Sequence, residues 1–389
     1  MAIPLSYNVR NVRVRWQVTL LAIVGIALVV AVFAVLMSMS EGFKAALRST
    51  GRPDNAIVVQ RGSSSEMTSG VPLADRNMIM VDERVARDAN GQPLASWEQV
   101  VVIGLPRISD GQPANVTLRA VTPRAFEVRG GIRVVEGRSF TQGLDEVIVG
   151  RKLTKRIAGL VIGGNVKYQQ KLFKIVGLFE SEGAAFESEI WGDYDTFSAI
   201  FQRGGGSNSL VLRMKDPSTI PELDRFVRAQ PQMQLQALSE RKYYEEQAGQ
   251  LSKALSALAN FVAVVMGVGA VFGAINTMYA IVSARTREIG TLRALGFTRR
   301  SILTSFLIES VILAFIGGAI GCLLAFPMNG FSTGTGQTQS FSEIAFNFRI
   351  TPGIVLVGMT FAVVMGILGG LLPALRGARM PITSALREA

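Results

Sequence analysis

The stretch YAIVSARTREIGTLRALGFTRRSIL, Tyr279–Leu303, decides how the chain is read. It is a short basic segment between two long apolar runs. Five arginines (Arg285, Arg287, Arg293, Arg299 and Arg300) face a single acid, Glu288. Its apolar positions Ile281, Ala284, Ile289, Leu292 and Leu295 recur at steps of three to five, as on one side of a helix. Gly296 breaks the run, and Thr298 stands where it can cap the next helix. The pattern predicts a small amphipathic helix held at a membrane surface between two spans.

The flanking runs are 255–282 and 302–327. Two more occur, Trp16–Met39 and 354–375, the last preceded by Pro352-Gly353 and carrying Pro373 near its end. At about 1.5 Å per residue, Trp16–Met39 reaches about 36 Å, enough to cross a bilayer. Arg10, Arg13 and Arg15 precede it, as positive charge also precedes the apolar core of a signal peptide. That core is shorter than this run, so a retained span is expected. Ser40–Leu47 extends the same helix.

Charge locates the ends of these spans. The chain of 389 residues has 40 basic and 29 acidic residues, net +11. Within 41–254 the balance is 28 basic to 25 acidic. The N-terminal segment, the 283–300 loop and the C-terminal tail together carry 11 basic and 2 acidic residues. An excess confined to short segments beside apolar runs is a topology signal, and it excludes a nucleic-acid footprint. Short basic loops stay in the cytoplasm while long domains translocate. There is no histidine, and one cysteine, Cys322, inside an apolar run. Disulfide frameworks and Cys/His metal sites are thereby excluded.

The stretch between the first two spans reads as soluble and mixed α+β. Asn55–Arg61, Val100–Leu105, Val116–Val121, Glu146–Val149 and Leu172–Leu178 are short, β-branched and bounded by turn formers, so they read as strands. Gly163-Gly164-Asn165 reads as a turn into Val166-Lys167-Tyr168. Helices are expected at Asp75–Ala89, Leu153–Ile157, Asp195–Phe201, Ile220–Ala229 and Ser239–Leu251. Flexible loops are expected at Gly62–Ser65 and Gly204–Ser207. The expected fold is a membrane protein: four transmembrane helices with an α+β extracytoplasmic domain inserted between helices 1 and 2. Its divisions are a cytoplasmic segment 1–15, span one with its extension 16–47, the domain 48–250, span two 251–282, the cytoplasmic helix 283–300, span three 301–327, an outer loop 328–352, span four 353–375 and a cytoplasmic tail 376–389.

On that frame, Ser283–Gly296 followed by Phe306-Leu307-Ile308-Glu309 resembles the permease signature of MacB/FtsX/LolC-type ABC transporters. Val121–Phe126, Glu136–Phe140 and Lys174–Gly177 resemble parts of the MacB-type periplasmic core. Leu372–Arg379, with Pro381 and Ala385–Arg387, resembles the family's C-terminal tail. The resemblance covers essentially the whole chain. It implies an inner-membrane permease subunit, itself non-catalytic, paired with a second copy or a paralogue. MacB carries a fused ATPase. This sequence contains no G-x-x-x-x-G-K-[ST] phosphate loop, so the resemblance implies a separate cytoplasmic ABC ATPase that binds ATP and Mg. Its function would be mechanotransmission: ATP-driven motion passed to the periplasm for export or extraction of a peptide, lipid or lipoprotein, with a periplasmic adaptor and outer-membrane duct as further partners. The alternative is an FtsX-like regulator of a periplasmic enzyme, without transport.

The candidate residues follow from these readings. As a coupling helix, 283–300 would meet the ATPase through Arg285, Arg287, Glu288, Arg293 and Leu295; as a bare basic loop it would only set topology. Glu309 is the one acid well inside a span, on the order of 10 Å along its helix. It can snorkel, cap a neighbouring helix, or pair with a coupling-loop arginine. Glycines four apart recur as Gly269/Gly273, Gly317/Gly321 and Gly366/Gly370, permitting close helix approach. The resemblance points to Gly269 and Gly273 for the dimer contact. Asp193 with Asp195, and Glu187 with Glu189, read as parts of a solvated loop, and Phe186 and Trp191 as a small satellite core or a partner contact. No catalytic constellation emerges, and no cofactor or metal is expected on this chain.

Overall fold

The computed structural model describes residues 16–201, 206–336 and 343–382. It divides into two compact units. A helical unit takes the chain up to Gly42, Lys253–Phe331 and the part from Phe348 onward. A sheet unit takes Phe43–Ser252 with Ser332–Asn347.

The chain opens with α1 (Trp16–Arg48) and continues through β1 (Asn55–Gln60), α2 (Leu73–Met80), β2 (Ala95–Pro106), β3 (Pro113–Val121), α3 (Ala125–Arg129), β4 (Arg133–Gly137), β5 (Glu146–Gly150) and α4 (Arg151–Thr154). It goes on through β6 (Asn165–Tyr168), β7 (Lys171–Glu180), β8 (Glu189–Asp193), α5 (Tyr194–Phe201), β9 (Ser209–Arg213), α6 (Ile220–Ala229) and β10 (Leu235–Ser239). After these come α7 (Glu240–Ser283), α8 (Thr286–Ala294), α9 (Arg299–Ala325), β11 (Ser332–Gly336), β12 (Glu343–Asn347) and α10 (Pro352–Arg379).

In the sheet unit, ten strands form one sheet in the order β10-β1-β9-β2-β3-β8-β5-β7-β4, with β6 on β7. The β3/β8 and β5/β7 pairs are parallel. β1 lies between β9 and β10, with Ile57 opposite Val211 and Leu238. It is buried on both faces, which is why NAIVVQ reads as a continuous apolar run. Edge strand β10 alternates, burying Leu235 and Ala237. One core gathers Leu118, Val147, Phe173, Ile190 and Phe197, with the Phe173 and Phe197 rings stacked at 4.2 Å. The other gathers Val58, Leu210, Leu212, Leu223 and Leu235. Amphipathic α6 supplies it with Ile220, Leu223 and Val227 at helical spacing.

Several local expectations change. The helix expected over Asp75–Ala89 stops at Met80: the Asp82 carboxylate takes the Arg84 N–H at 3.0 Å, and Val85 bridges Met214 in extended conformation. β4, β8, β9 and β10 carry too few β-branched residues, or too many charges, to stand out in sequence. Glu187, Glu189 and Asp193 are not in a solvated loop but buried, and only Asp195 is exposed. Phe186 and Trp191 are core residues. Gly204 lies outside the described residues, whereas Ser207 is buried and bridges Val71. The loop between the third and fourth spans contains the β11–β12 hairpin. Its Phe346 packs edge-on to Phe43 at 5.6 Å, and its Ala345 N–H donates to Ser188 Oγ at 2.9 Å.

Among the described residues, four helices are long and apolar enough to cross a membrane. α7 joins the 239–251 stretch and the second span into one helix of 44 residues. Glycines set the spacing of the rest. A Cβ on Gly317 or Gly321 of α9 would meet the Ile23 and Ala27 carbonyls of α1, and one on Gly366 or Gly370 of α10 would collide with Ala314 and Ser310 of α9.

Candidate functional site

The basic stretch forms α8, nine residues long. An isolated helix of that length is not stable in water, so contacts must hold it. Its end is built as the sequence suggests. Gly296 sits at φ +96°, its N–H donating to the Arg293 carbonyl, while the Phe297 N–H reaches the Leu292 carbonyl, both at 3.1 Å. This pair of bonds is a Schellman motif. Thr298 then caps α9, its hydroxyl accepting from the Ser301 N–H at 3.2 Å.

The inner face of α8 docks in the helical unit. Ile289 enters a cluster with Met278, Ile281, Val282, Ile302, Phe306, Ala374 and Ala378. Arg285, just before the first turn, is buried, with 5% of its surface exposed. Its Nη1 donates to Glu309 Oε2 at 2.9 Å and its Nε to Glu288 Oε2 at 3.2 Å. Its guanidinium carbon lies 5.1 Å from the Phe306 ring centroid. Glu309 is itself buried, 3% exposed. The intramembrane acid is thus an ion-pair partner of the loop, one of the roles open to it in sequence. Arg293 is half-buried and donates to the Met380 carbonyl at 2.8 Å, tying α8 to the end of α10.

The outer face is different. Arg287, Thr291, Ala294 and Leu295 are exposed, Leu295 by 69%. The Glu288 side chain is half-exposed. The five residues singled out for a partner therefore separate into two groups. Arg285 and Arg293 are engaged within the chain, whereas Arg287, Glu288 and Leu295 face outward. Gly269 and Gly273 are exposed, with nothing near the place a Cβ would occupy.

A second constellation lies inside the sheet unit and escaped the sequence reading. Arg119 donates to both oxygens of Glu189 at 2.7 and 2.9 Å, to Glu66 at 2.9 and 3.0 Å, and to Glu98 at 2.8 Å. Arg129 donates to Glu98 at 2.6 and 2.9 Å and to Glu240. The Phe186 ring lies 5.4 and 4.5 Å from the two guanidinium carbons. Glu240, first residue of α7, also accepts from the Arg52 N–H at 3.1 Å and Asn55 Nδ2 at 2.7 Å. Tyr244 donates to Glu66 at 3.2 Å, and Trp191 Nε1 to Glu189 at 2.7 Å. All six charged residues are buried. Burial pushes the Glu66 carboxyl up, but Arg119 outweighs it and holds the group at about 2. Burial prevails at Glu240, raising it despite Arg129. The partners come from distant parts of the chain and share no spacing, so no local pattern announces them. The cluster fastens the start of α7 to the sheet; its arginines are spent on its own carboxylates.

Two family models match successive parts of the chain, with boundaries that differ from those of the two structural units. Residues 19–230 match the family model of the MacB-like periplasmic core domain, and residues 260–382 that of the FtsX-like permease C-terminal. The chain is 28% identical over 370 residues to the macrolide export ATP-binding/permease protein MacB of Nitrobacter winogradskyi, covering 85% of this chain and 55% of that protein. It is 23% identical over 406 residues to the uncharacterized ABC transporter permease YvrN of Bacillus subtilis, covering 94% of this chain and 93% of that protein. The crystal structure of the periplasmic region of MacB from Actinobacillus actinomycetemcomitans aligns with 51% of this chain and 94% of its own, at 13% identity and a TM-score of 0.37. The chain spans about half the length of the MacB relative it matches.

Proposed function

The chain belongs to the MacB/FtsX-type ABC permease family, and from that premise we propose that it is the permease subunit of an ABC transporter whose ATP is hydrolysed on a cytoplasmic ATPase subunit. ATP and Mg²⁺ bind that partner. α8 is the coupling helix. Its exposed Arg287, Glu288 and Leu295 meet the ATPase, while Arg285 and Arg293 hold the helix to the spans. Two permease copies, or this chain and a paralogue, work with two ATPase subunits. Nucleotide-driven closure of the ATPases moves the coupling helices, and the spans carry that motion to the extracytoplasmic domain. The chain acts as a mechanotransmission device for a peptide, lipid or lipoprotein, with an adaptor and an outer-membrane duct beyond it. Both termini and α8 are cytoplasmic, a reading supported by the basic short segments.

The observation that carries this proposal is the two-faced coupling helix. An amphipathic helix of nine residues is docked on one side, and its other side presents a cation, an anion and a leucine. A loop that only set topology would need no docked helix. The family match over 19–230 favours transport over the regulatory reading. Gentle affinity purification from native membranes, followed by mass spectrometry, tests it. An ATPase is expected with the wild-type chain and is expected to be lost from a variant carrying Arg287→Glu and Leu295→Asp. Failure to recover an ATPase in several detergents and in nanodiscs overturns the proposal.

A further inference from the structure

We propose that the buried Arg285–Glu309 pair is a latch that makes the third span follow the coupling helix. The inference rests on the coupling role proposed above and deepens it. α8 offers few groups with which to grip the spans. Ile289 is its large buried apolar side chain, beside buried Thr286 and Gly290. The Arg293 bond to the Met380 carbonyl holds its far end to α10, but a pull would loosen its first turn from α9 unless a further link ran there.

Arg285 supplies that link. Two residues further on, Arg287 is exposed, so burial of Arg285 is not a general property of the loop. A buried guanidinium needs a buried counter-charge. Glu309 provides it from α9, 24 residues away in sequence, at 2.9 Å. Arg285 also holds Glu288 at 3.2 Å, on its own helix and half-exposed on the face proposed to meet the ATPase. One guanidinium therefore touches both a group at the proposed docking surface and a group inside a span. The Glu288 bond is internal to α8 and cannot transmit force to α9. The Glu309 bond can, because separating the two helices would pull two opposite charges apart in a water-poor setting. Phe306, one turn before Glu309, covers the guanidinium at 5.1 Å and keeps the pair dry.

The test has a part that needs no ATPase. Hydrogen exchange is followed across residues 286–294 with the full chain in nanodiscs. Glu309→Gln and Arg285→Gln are each expected to speed exchange there by about tenfold or more, while the sheet strands are unchanged. The variant Arg285→Glu with Glu309→Arg, made with Glu288→Gln so that no like charges meet at the swapped position, restores the pair reversed and is expected to recover most of the protection. Unchanged exchange in both single variants, or a swap no better than either, overturns the latch. The second part uses the ATPase that copurifies with the wild-type chain. In Glu309→Gln that ATPase is expected to remain bound through Arg287 and Leu295. The ATP-dependent change in exchange of α9 is expected to be lost. If that change persists with α8 loosened, the pair is merely structural and the proposal falls. Absence of any ATPase from the wild-type chain instead counts against the coupling role, and leaves the exchange result to decide the contact.

Discussion

Arg119 and Arg129 are wholly buried among four carboxylates. Removing one partner of such a cluster leaves charge unpaired in a low-dielectric interior, at a cost of roughly 3–5 kcal/mol. Arg119→Leu is therefore expected to lower the unfolding midpoint of the sheet unit sharply. Trp191, buried and bonded to Glu189, reports the loss through its fluorescence. The same cluster sets an acid limit. Glu66 stands at about 2 in the folded protein against an ordinary 4.5. An unfolded chain binds more protons between those values, so this contribution, on the order of 3 kcal/mol, is present above about pH 4.5 and is lost as pH falls toward 2. Glu240 is raised, so its contribution has the opposite sign: present below its ordinary value and lost as pH rises through its folded one. Urea midpoints measured from pH 5 downward should fall in the wild type and fall less steeply in Glu66→Gln. Parallel slopes would remove Glu66 from this account.

Among the elements, three pairs of glycines look alike in sequence and differ in the structure. Gly317 and Gly321 let α9 approach α1, and Gly366 and Gly370 let α10 approach α9. Gly269 and Gly273 of α7 face open space. Gly321→Leu is expected to abolish folding of the helical unit, since a side chain there meets a backbone carbonyl at 2.6 Å. Gly269→Leu is expected to leave the chain's own stability within about 0.5 kcal/mol. If α7 is the proposed dimer contact, that variant dissociates the dimer; size-exclusion with light scattering in nanodiscs separates the two results. In the sheet unit, the short segment Ala184–Ser188 is a meeting point. The Ala185 N–H bonds Thr50 Oγ1 after α1, Phe186 packs on Tyr244 of α7, and Ser188 accepts from Ala345 of the hairpin. Phe186→Ala is expected to cost about 3–5 kcal/mol and to lower the melting temperature of the unit.

Taken as a whole molecule, the chain carries its positive excess beside the spans, and that distribution predicts its orientation. A cysteine at Ser64, which is exposed, should react with an impermeant thiol reagent in intact spheroplasts when Cys322 is replaced by Ala. A cysteine at Arg300 should stay protected until the membrane is opened. The reverse pattern would invert the proposed topology. Much of this organisation was legible beforehand. Four spans, a mixed domain between the first two, the short basic helix, its Gly296 stop and its Thr298 cap all follow from sequence. Each is written in hydropathy, charge or a turn residue within a few positions. What the tertiary structure decided is which groups meet. It turned Arg285 inward and left Arg287 outward, and it chose an ion pair for Glu309. It drew Glu66, Glu98, Arg119, Arg129, Glu189 and Glu240 into one buried cluster. Those pairings join residues from 21 to 111 positions apart. Local pattern cannot encode them, because only the packed chain brings the charges out of water and into contact.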